Sequence, residues 1–269
     1  MYSVLNNLSI DVALGTIICA TFFSHILHVQ PSPVELASLG ITVWIIYTVD
    51  HLLDVRKLKH EASSLRHRFH QKNFSRLSIA LMLSIAVDFL LILLLRRPVV
   101  YWGIGLTLLV VVYLFFQQKL IAIKEIVISI LYAAGVLLPS ISMREEFLSM
   151  NEILLVLFFW LIALNNLFLF SWYEWKQDIR DSHQSFVTFF GRNPTRIILV
   201  VLFGLQIALF IELMTISLYR KEAAILELMN LILVVLFLYP EKLFPRELYR
   251  LLGDGVFLFP LPYLLWHYC

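Results

Sequence analysis

The stretch "LASLGITVWIIYTVDHLLD" (residues 36–54) joins a long apolar run to two aspartates. A second stretch of the same kind, "ILLVLFFWLIALNNLFLFSWYEWKQDIRD" (153–181), ends in three acidic residues. Runs of about 20 mainly apolar residues are long enough to cross the hydrocarbon core of a bilayer. The two stretches therefore predict membrane helices that each carry carboxylates at one end.

The composition extends this interpretation to the whole chain. Of its 269 residues, 60% are hydrophobic and only 15% are charged, and the mean hydropathy is +0.84. Soluble domains carry about 25% charged residues, so we expect an integral membrane protein that is surrounded by lipid and does not bind nucleic acid. We predict an all-α bundle of about nine transmembrane helices, forming one domain over 1–269. The nine apolar runs lie at 10–29, 34–53, 76–95, 98–118, 125–143, 152–172, 195–217, 223–239 and 251–268.

The basic residues predict which face of the membrane is cytoplasmic. If the nine runs alternate across the bilayer, sixteen of the 21 Lys and Arg residues fall on one face. Cytoplasmic loops carry the Lys and Arg excess, so this face and the N-terminus are predicted to be cytoplasmic, and we expect a bacterial inner membrane. Both acidic clusters then lie on the cytoplasmic face.

The spacing of the acidic residues predicts a metal site. Asp50 and Asp54 are four residues apart, and Glu174, Asp178 and Asp181 follow at i, i+4 and i+7. On helices these positions form single stripes. Hard oxygen ligands of this kind suit Mg²⁺, which completes its shell from substrate phosphates. The alternative is that these carboxylates are only solvated or paired with neighbouring cations.

Cations beside the clusters agree with a diphosphate substrate, whose charge needs basic partners. Arg66, Arg68 and Lys176 flank the acidic residues, and Lys119 follows the fourth run on the same face. We interpret the basic loop 56–73 as a cytoplasmic cap over the site. The alternative is a basic surface that is held to anionic lipid head groups.

Four sequence features in this order resemble the UbiA superfamily of intramembrane prenyltransferases. The family's N-D-x-x-D-x-x-x-D motif falls on "IYTVDHLLD" (46–54), and its D-x-x-x-D motif falls on "EWKQD" (174–178). The stretch "SFVTFFGR" (185–192) is similar to the segment before the family's seventh helix. A tyrosine followed by a basic residue, here Tyr113 and Lys119, resembles the family's landmark after the fourth helix.

This resemblance implies an activity. Mg²⁺ and basic side chains would hold the diphosphate of a polyprenyl donor while its C–O bond ionises, and an acceptor would capture the allylic cation. The resemblance implies Asp50, Asp54 and Asp178 as catalytic residues. The acceptor would be an aromatic quinone precursor or a lipid. The sequence departs from the family at Ile46 and Tyr47, which replace the leading Asn and Asp, and at Glu174, which replaces Asp.

Other polar residues and other functions stay open at this stage. Asn165 and Asn166 either face the substrate or hydrogen-bond between helices. The aromatic residues of the sixth run either line a cavity or form part of an interfacial belt or of the packing between helices. Two alternative functions are an isoprenoid cyclase of the same fold and a non-catalytic membrane protein or transporter with a degraded site.

Overall fold

The computed structural model is all-α over the residues that it describes, which are 2–58, 60–117, 119–181, 183–216, 218–240 and 247–268. Thirteen α-helices occur in these ranges, and we number them in chain order. They are α1 (Tyr2–Asn7), α2 (Ile10–Ile26), α3 (Pro33–Lys57), α4 (Leu65–Lys72), α5 (Phe74–Ile92), α6 (Arg97–Phe116), α7 (Lys124–Ile141), α8 (Met150–Arg180), α9 (Phe186–Phe190), α10 (Arg192–Ile216), α11 (Arg220–Leu238), α12 (Leu248–Gly255) and α13 (Leu261–Tyr268). Of the residues used in the charge count, Lys59, Lys242 and Arg246 lie outside the described residues.

Each of the nine predicted runs coincides with helical structure. The last run is divided into α12, a 3₁₀ turn at Val256–Leu258, and α13. In the described ranges, seven helical segments are long and apolar enough to cross a membrane. The other two runs correspond to α2, an apolar helix of 17 residues, and α11, whose 19 residues include four charged side chains.

Capping boxes define where the two acidic helices begin. At the start of α3, the Ser32 hydroxyl accepts a hydrogen bond from the Glu35 amide, and the Glu35 carboxylate accepts one from the Ser32 amide. Ser149 and Glu152 form the same arrangement at the start of α8. Such reciprocal bonds satisfy amides that would otherwise lack partners. Both helices therefore have a fixed start opposite their acidic ends.

The bundle is organised around α8, which packs against α7, α10, α11 and α12. In the most apolar 18-residue stretch of α8, 61% is buried inside the bundle, whereas the share is 11% in α5 and 17% in α6. Long apolar side chains on α5 and α6 face outward, including Phe89 and Phe115, which are 63% and 82% exposed. Because water would disfavour such a surface, the chain is an integral membrane protein.

The short helix α4, which we call the cap helix, follows α3 and covers one end of the bundle. It packs against α1, α3 and α5. The Ser64 hydroxyl accepts a hydrogen bond from the His67 amide at its start. Although its sequence "LRHRFHQK" is strongly polar, Arg66, His67 and His70 are buried. The cap helix therefore presents basic side chains to the interior of the bundle.

Candidate functional site

A polar cavity of about 220 Å³ lies where α3, α7, α8 and α12 meet the cap helix. Its lining combines carboxylates, cations and imidazoles from separate parts of the chain. The charged and imidazole side chains that line it are Asp50, His51, Asp54, Arg66, His67, Lys124, Glu125, Glu174, Asp178, His183, Arg250 and Asp254. Four of the five carboxylates selected from the sequence therefore meet in one cavity.

The carboxylates of α3 lie one helical turn apart. One oxygen of Asp50 is buried and has no hydrogen-bond partner among the described residues. Asp54 is buried beside two basic groups, with Lys57 Nζ at 3.3 Å and His183 Nε2 at 3.0 Å. A buried acceptor without a partner is costly, so the Asp50 oxygen is suited to a group that enters the cavity.

The carboxylates of α8 have fixed partners. Glu174 forms an ion pair with Arg250 at 2.6 Å and accepts a hydrogen bond from the Tyr249 hydroxyl at 3.1 Å. Asp178 accepts a hydrogen bond from the Ser185 hydroxyl at 2.7 Å. Glu174 is therefore already neutralised by a cation, whereas Asp178 is held in place by a neutral donor.

Asp181 is placed elsewhere, because α8 ends at Arg180. Its carboxylate accepts hydrogen bonds from the Ser63 amide at 2.9 Å and the Ser63 hydroxyl at 2.6 Å, and His60 Nε2 lies 3.2 Å away. Burial favours a higher pKa for Asp181, but the bonds from Ser63 and His60 outweigh it and lower the pKa. Asp181 is not among the cavity-lining residues and attaches the segment before the cap helix to the end of α8.

The basic residues divide in the same way. Arg66 lines the cavity and forms a buried ion pair with Asp254 at 2.8 Å. Arg68 instead lies 3.3 Å from Glu61, and Lys176 is exposed. Neither Arg68 nor Lys176 is among the cavity-lining residues.

Lys124 lines the polar cavity, whereas Lys119, which was selected from the sequence, is not among its lining residues. Lys119 is exposed, with its Nζ 5.6 Å from the centre of the Phe116 ring. A 3₁₀ turn at Ile121–Ile123 separates it from α7, and Lys124 at the start of α7 lines the cavity. Both lysines belong to the same basic loop in the charge count, but the sequence pattern did not distinguish them.

Four histidines gather at the cap side of the cavity. The ring centres of His51 and His70 are 4.8 Å apart, and those of His67 and His183 are 5.3 Å apart. Burial and the nearby Arg250 lower the pKa of His67 to about 3, so its imidazole is neutral near pH 7. Burial favours a lower pKa for His183, but the contact with Asp54 outweighs it and raises the pKa.

Asp54, His67 and His183 form a possible metal-binding group. One ligand atom from each of them lies within 4.8 Å of the other two. Sequence reasoning missed His183 and Arg250. Their only sequence signal is proximity to the second acidic cluster or to the last apolar run.

The two neighbouring asparagines have different roles. The Asn166 side chain lines the cavity, and its carbonyl oxygen has no hydrogen-bond partner among the described residues. Asn165 donates a hydrogen bond to Gln206 on α10. Asn166 therefore faces the site, and Asn165 connects two helices.

A larger apolar cavity of about 670 Å³ adjoins the polar one between α3, α5, α6 and α7. Six residues line both cavities: Ile46, Tyr47, Tyr113, Leu114, Ile128 and Tyr132. The Tyr113 hydroxyl is buried and has no hydrogen-bond partner among the described residues. Asp88 of α5 also lines the apolar cavity, and its carboxylate accepts hydrogen bonds from Ser38 and Thr42 in the first half of α3, each at 2.7 Å. The joined cavities can therefore accommodate a molecule with a charged head and an apolar tail.

Most aromatic residues of α8 pack in the core. Phe158 and Phe159 are fully buried, and Trp172 and Tyr173 are nearly so. Of the aromatic residues of α8 considered from the sequence, Phe170 is the one that lines the polar cavity.

Comparison with known proteins identifies the fold. No protein-family model and no curated protein sequence matches this chain. Two solved structures of a UbiA homolog from Archaeoglobus fulgidus do match, each with a TM-score of 0.63 at 10% sequence identity. The chain has the UbiA fold. The match covers 96% of this chain and 97% or 98% of the homolog, which is bound to DMAPP and Mg²⁺ in one structure and to GPP and Mg²⁺ in the other.

Gly253 of α12 lies close to Phe170 and Asn166, two residues of α8 that line the polar cavity. A Cβ at this position would lie 2.5 Å from a Phe170 ring carbon and 2.7 Å from the Asn166 side-chain oxygen. We expect Gly253→Ala to destabilise the protein, because overpacking costs about 1–3 kcal/mol and exceeds the gain in helix propensity. Gly255→Ala is the matched control, since its Cβ would meet no atom within 4 Å. Thermal unfolding in detergent should show a lower Tm for Gly253→Ala only; equal Tm values would contradict this contact.

Proposed function

We propose that the protein is a membrane-embedded prenyltransferase that transfers a prenyl group from a polyprenyl diphosphate to an acceptor. The main support is the joining of two cavities with opposite chemistry. The polar cavity contains carboxylates and cations, and the 670 Å³ cavity next to it is almost entirely apolar. A prenyl diphosphate has the same division between an anionic head and a hydrocarbon tail.

The similar structures support the same class of substrate. The A. fulgidus UbiA homolog binds DMAPP in one structure and GPP in the other, each with Mg²⁺. Both are prenyl diphosphates. We propose that this chain binds such a molecule with its diphosphate in the polar cavity and its tail between α3, α5, α6 and α7.

The residues of the polar cavity fit a divalent cation. The ion pairs of Arg66 with Asp254 and of Arg250 with Glu174 neutralise two of the carboxylates. Asp50, Asp54, Asp178 and Glu125, which accepts a hydrogen bond from the Phe186 amide, then share the cavity with Lys124 and His183. Clustered carboxylates with few cations repel one another unless a metal ion is present. The unpartnered oxygen of Asp50 is a further observation in favour of a ligand.

We propose that Asp50, Asp54 and Asp178 hold Mg²⁺. When bound, Mg²⁺ would act as a Lewis acid and stabilise negative charge on the departing diphosphate. Glu174 would orient Arg250 without binding the metal, and Asp181 would maintain the cap-side loop. Ile46 and Tyr47, at the positions of the family's leading Asn and Asp, lie where the two cavities join. They would border the tail instead of contributing ligands.

The cations of the cavity would hold the diphosphate. Lys124 and Arg66 both line it, and the buried Nε of Arg66 has no hydrogen-bond partner among the described residues. Donors fixed before the reaction stabilise developing negative charge without reorganisation. The aromatic faces of Tyr47, Tyr132 and Phe170 line the same cavity and would stabilise an allylic cation.

The chain is proposed to be one membrane-embedded domain with its acidic ends on the cytoplasmic face. The Lys and Arg excess supports this orientation, which also places the N-terminus inside. A bacterial inner membrane stays a prediction from the sequence.

The acceptor is proposed to be an aromatic quinone precursor or a lipid. Product analysis without an added acceptor would distinguish transfer from cyclisation of the donor.

Diphosphate release tests the proposal. Purified protein in lipid nanodiscs would be incubated with GPP or a longer prenyl diphosphate, with cell lipid extract as a source of acceptor. We expect release that requires Mg²⁺ and stops with a chelator. The absence of release from every donor, with Mg²⁺ and extract present, would favour a non-catalytic membrane protein or transporter.

The apolar cavity predicts a change in donor selectivity. Gly103 lines it, and a Cβ there would meet no atom within 4 Å, so a leucine would extend into space reserved for the tail. We expect Gly103→Leu to lower kcat/KM for long donors by about 10-fold, with little effect on DMAPP. Gly204→Leu on α10 is the control, because Gly204 also has open space but is not among the cavity-lining residues. Equal losses for short and long donors would contradict this placement of the tail.

A further inference from the structure

A second group of possible metal ligands lies far from the polar cavity. His25 near the end of α2, Glu222 in the first turn of α11, and His267 in α13 each place a ligand atom within 4.8 Å of the other two. The start of α2 lies near the polar cavity, where Asp11 and Asp254 both accept hydrogen bonds from Asn6. His25 is 14 residues further along α2, or about 21 Å at 1.5 Å per residue.

The three ligands belong to a continuous polar cluster. The Tyr263 hydroxyl donates a hydrogen bond to Glu222 and lies 3.0 Å from His267 Nε2. The rings of His25 and His267 have centres 4.7 Å apart, and the Tyr263 ring contacts both imidazoles. Glu222 is buried and makes no ion pair with any described residue. A buried carboxylate facing two imidazoles is a favourable environment for a cation.

We propose that His25, Glu222 and His267 bind a transition-metal ion of the Zn²⁺ class. Two imidazoles and one carboxylate are a known zinc ligand set that leaves a further position for water or another oxygen. Imidazole ligands favour Zn²⁺, Cu²⁺ or Ni²⁺ over Mg²⁺, which prefers oxygen. The ligand set therefore differs from the three carboxylates proposed above for Mg²⁺, and it is of the same kind as the group of Asp54, His67 and His183. His267 is exposed.

The bound ion would connect three helix ends that are distant in sequence. It would attach α13, at the C-terminal end of the chain, to α2 and α11. Metal binding to a folded state that forms the site stabilises that state by mass action. The predicted role is therefore structural: the ion would fix the C-terminal helix on the face of the bundle opposite the cap helix.

Metal content measured by mass spectrometry tests this site. The protein would be purified without a polyhistidine tag, in a Cys269→Ser background that removes a thiol able to bind the same ions. It would then be stripped with a chelator, loaded with Zn²⁺ and desalted. We expect the His25→Ala/His267→Ala protein to retain about one Zn²⁺ per chain less than the background protein. Zn²⁺ should raise the Tm of the background protein more than that of the double variant.

Three further variants make the result specific. His28→Asn removes a neighbouring exposed imidazole outside the ligand group and should retain Zn²⁺. His183→Gln removes only metal held by the group at Asp54 and His67, so its loss should add to that of the double variant. Glu222→Gln keeps an acceptor for Tyr263 and should lose the ion without unfolding the helix ends. Equal Zn²⁺ content in the background protein, the double variant and Glu222→Gln would overturn the proposal.

Discussion

Asp178→Asn is expected to lower prenyl diphosphate turnover by at least about 100-fold. The amide keeps an oxygen that can accept the hydrogen bond from Ser185, so the local structure persists while the negative charge is lost. Asp50→Asn should have a similar effect, because its unpartnered oxygen faces the same cavity. Turnover is measured as diphosphate release at saturating Mg²⁺.

Asp181→Asn is the matched control for Asp178→Asn. The two aspartates lie three positions apart, but Asp181 is bonded to Ser63 and lies outside the set of cavity-lining residues. We expect this variant to retain turnover and to show a lower Tm, because an amide accepts the two Ser63 bonds less strongly than a carboxylate. Equal turnover in the Asp178 and Asp181 variants would contradict the proposed division between metal ligands and loop attachment.

Lys124→Gln is the second change with a large expected effect. Among the described residues, Lys124 is the lysine that lines the polar cavity, and removing a cation proposed to hold the diphosphate is expected to lower kcat/KM by about 100-fold. Lys119→Gln should have little effect, because Lys119 is exposed beside Phe116. Steady-state kinetics with one donor would measure both variants, and Lys124→Arg should restore part of the loss. A larger defect in Lys119→Gln than in Lys124→Gln would contradict the proposed role of Lys124.

Helix positions could be predicted because hydrophobic run length is a local property. All nine predicted runs coincide with helical structure, and the two acidic stretches end α3 and α8. The capping boxes that start these helices are also local sequence patterns, at Ser32 with Glu35 and at Ser149 with Glu152. Membrane insertion and fold class therefore follow from the sequence with little tertiary information.

The direction in which a side chain points near a helix end was harder to predict. Asp181 continues the i, i+4, i+7 stripe only if α8 continues through it, but the helix ends at Arg180. A 3₁₀ turn lies between Lys119 and Lys124. Along a helix, the direction of the side chain changes by about 100° from one residue to the next. Errors of one or two residues in a helix boundary therefore exchange a cavity-lining residue for an exposed one.

Contacts between distant segments could not be read from the sequence. Arg250 forms an ion pair with Glu174, and Arg66 forms one with Asp254. Each pair joins elements that are adjacent only after the bundle has closed. His183 reaches Asp54 through the path of the loop after α8, for which the sequence has no periodic signal. In the proposed site, these long-range pairs determine which carboxylates would bind a metal ion.

Binding of a non-reactive prenyl diphosphate analogue tests the central claim most directly. Isothermal titration of the protein in nanodiscs with geranyl thiolodiphosphate would be carried out with Mg²⁺ and with a chelator. We predict saturable binding that requires Mg²⁺ and is lost in Asp50→Asn but kept in Asp181→Asn. Binding that is unchanged by the chelator and by Asp50→Asn, or no binding under any condition, would contradict the account.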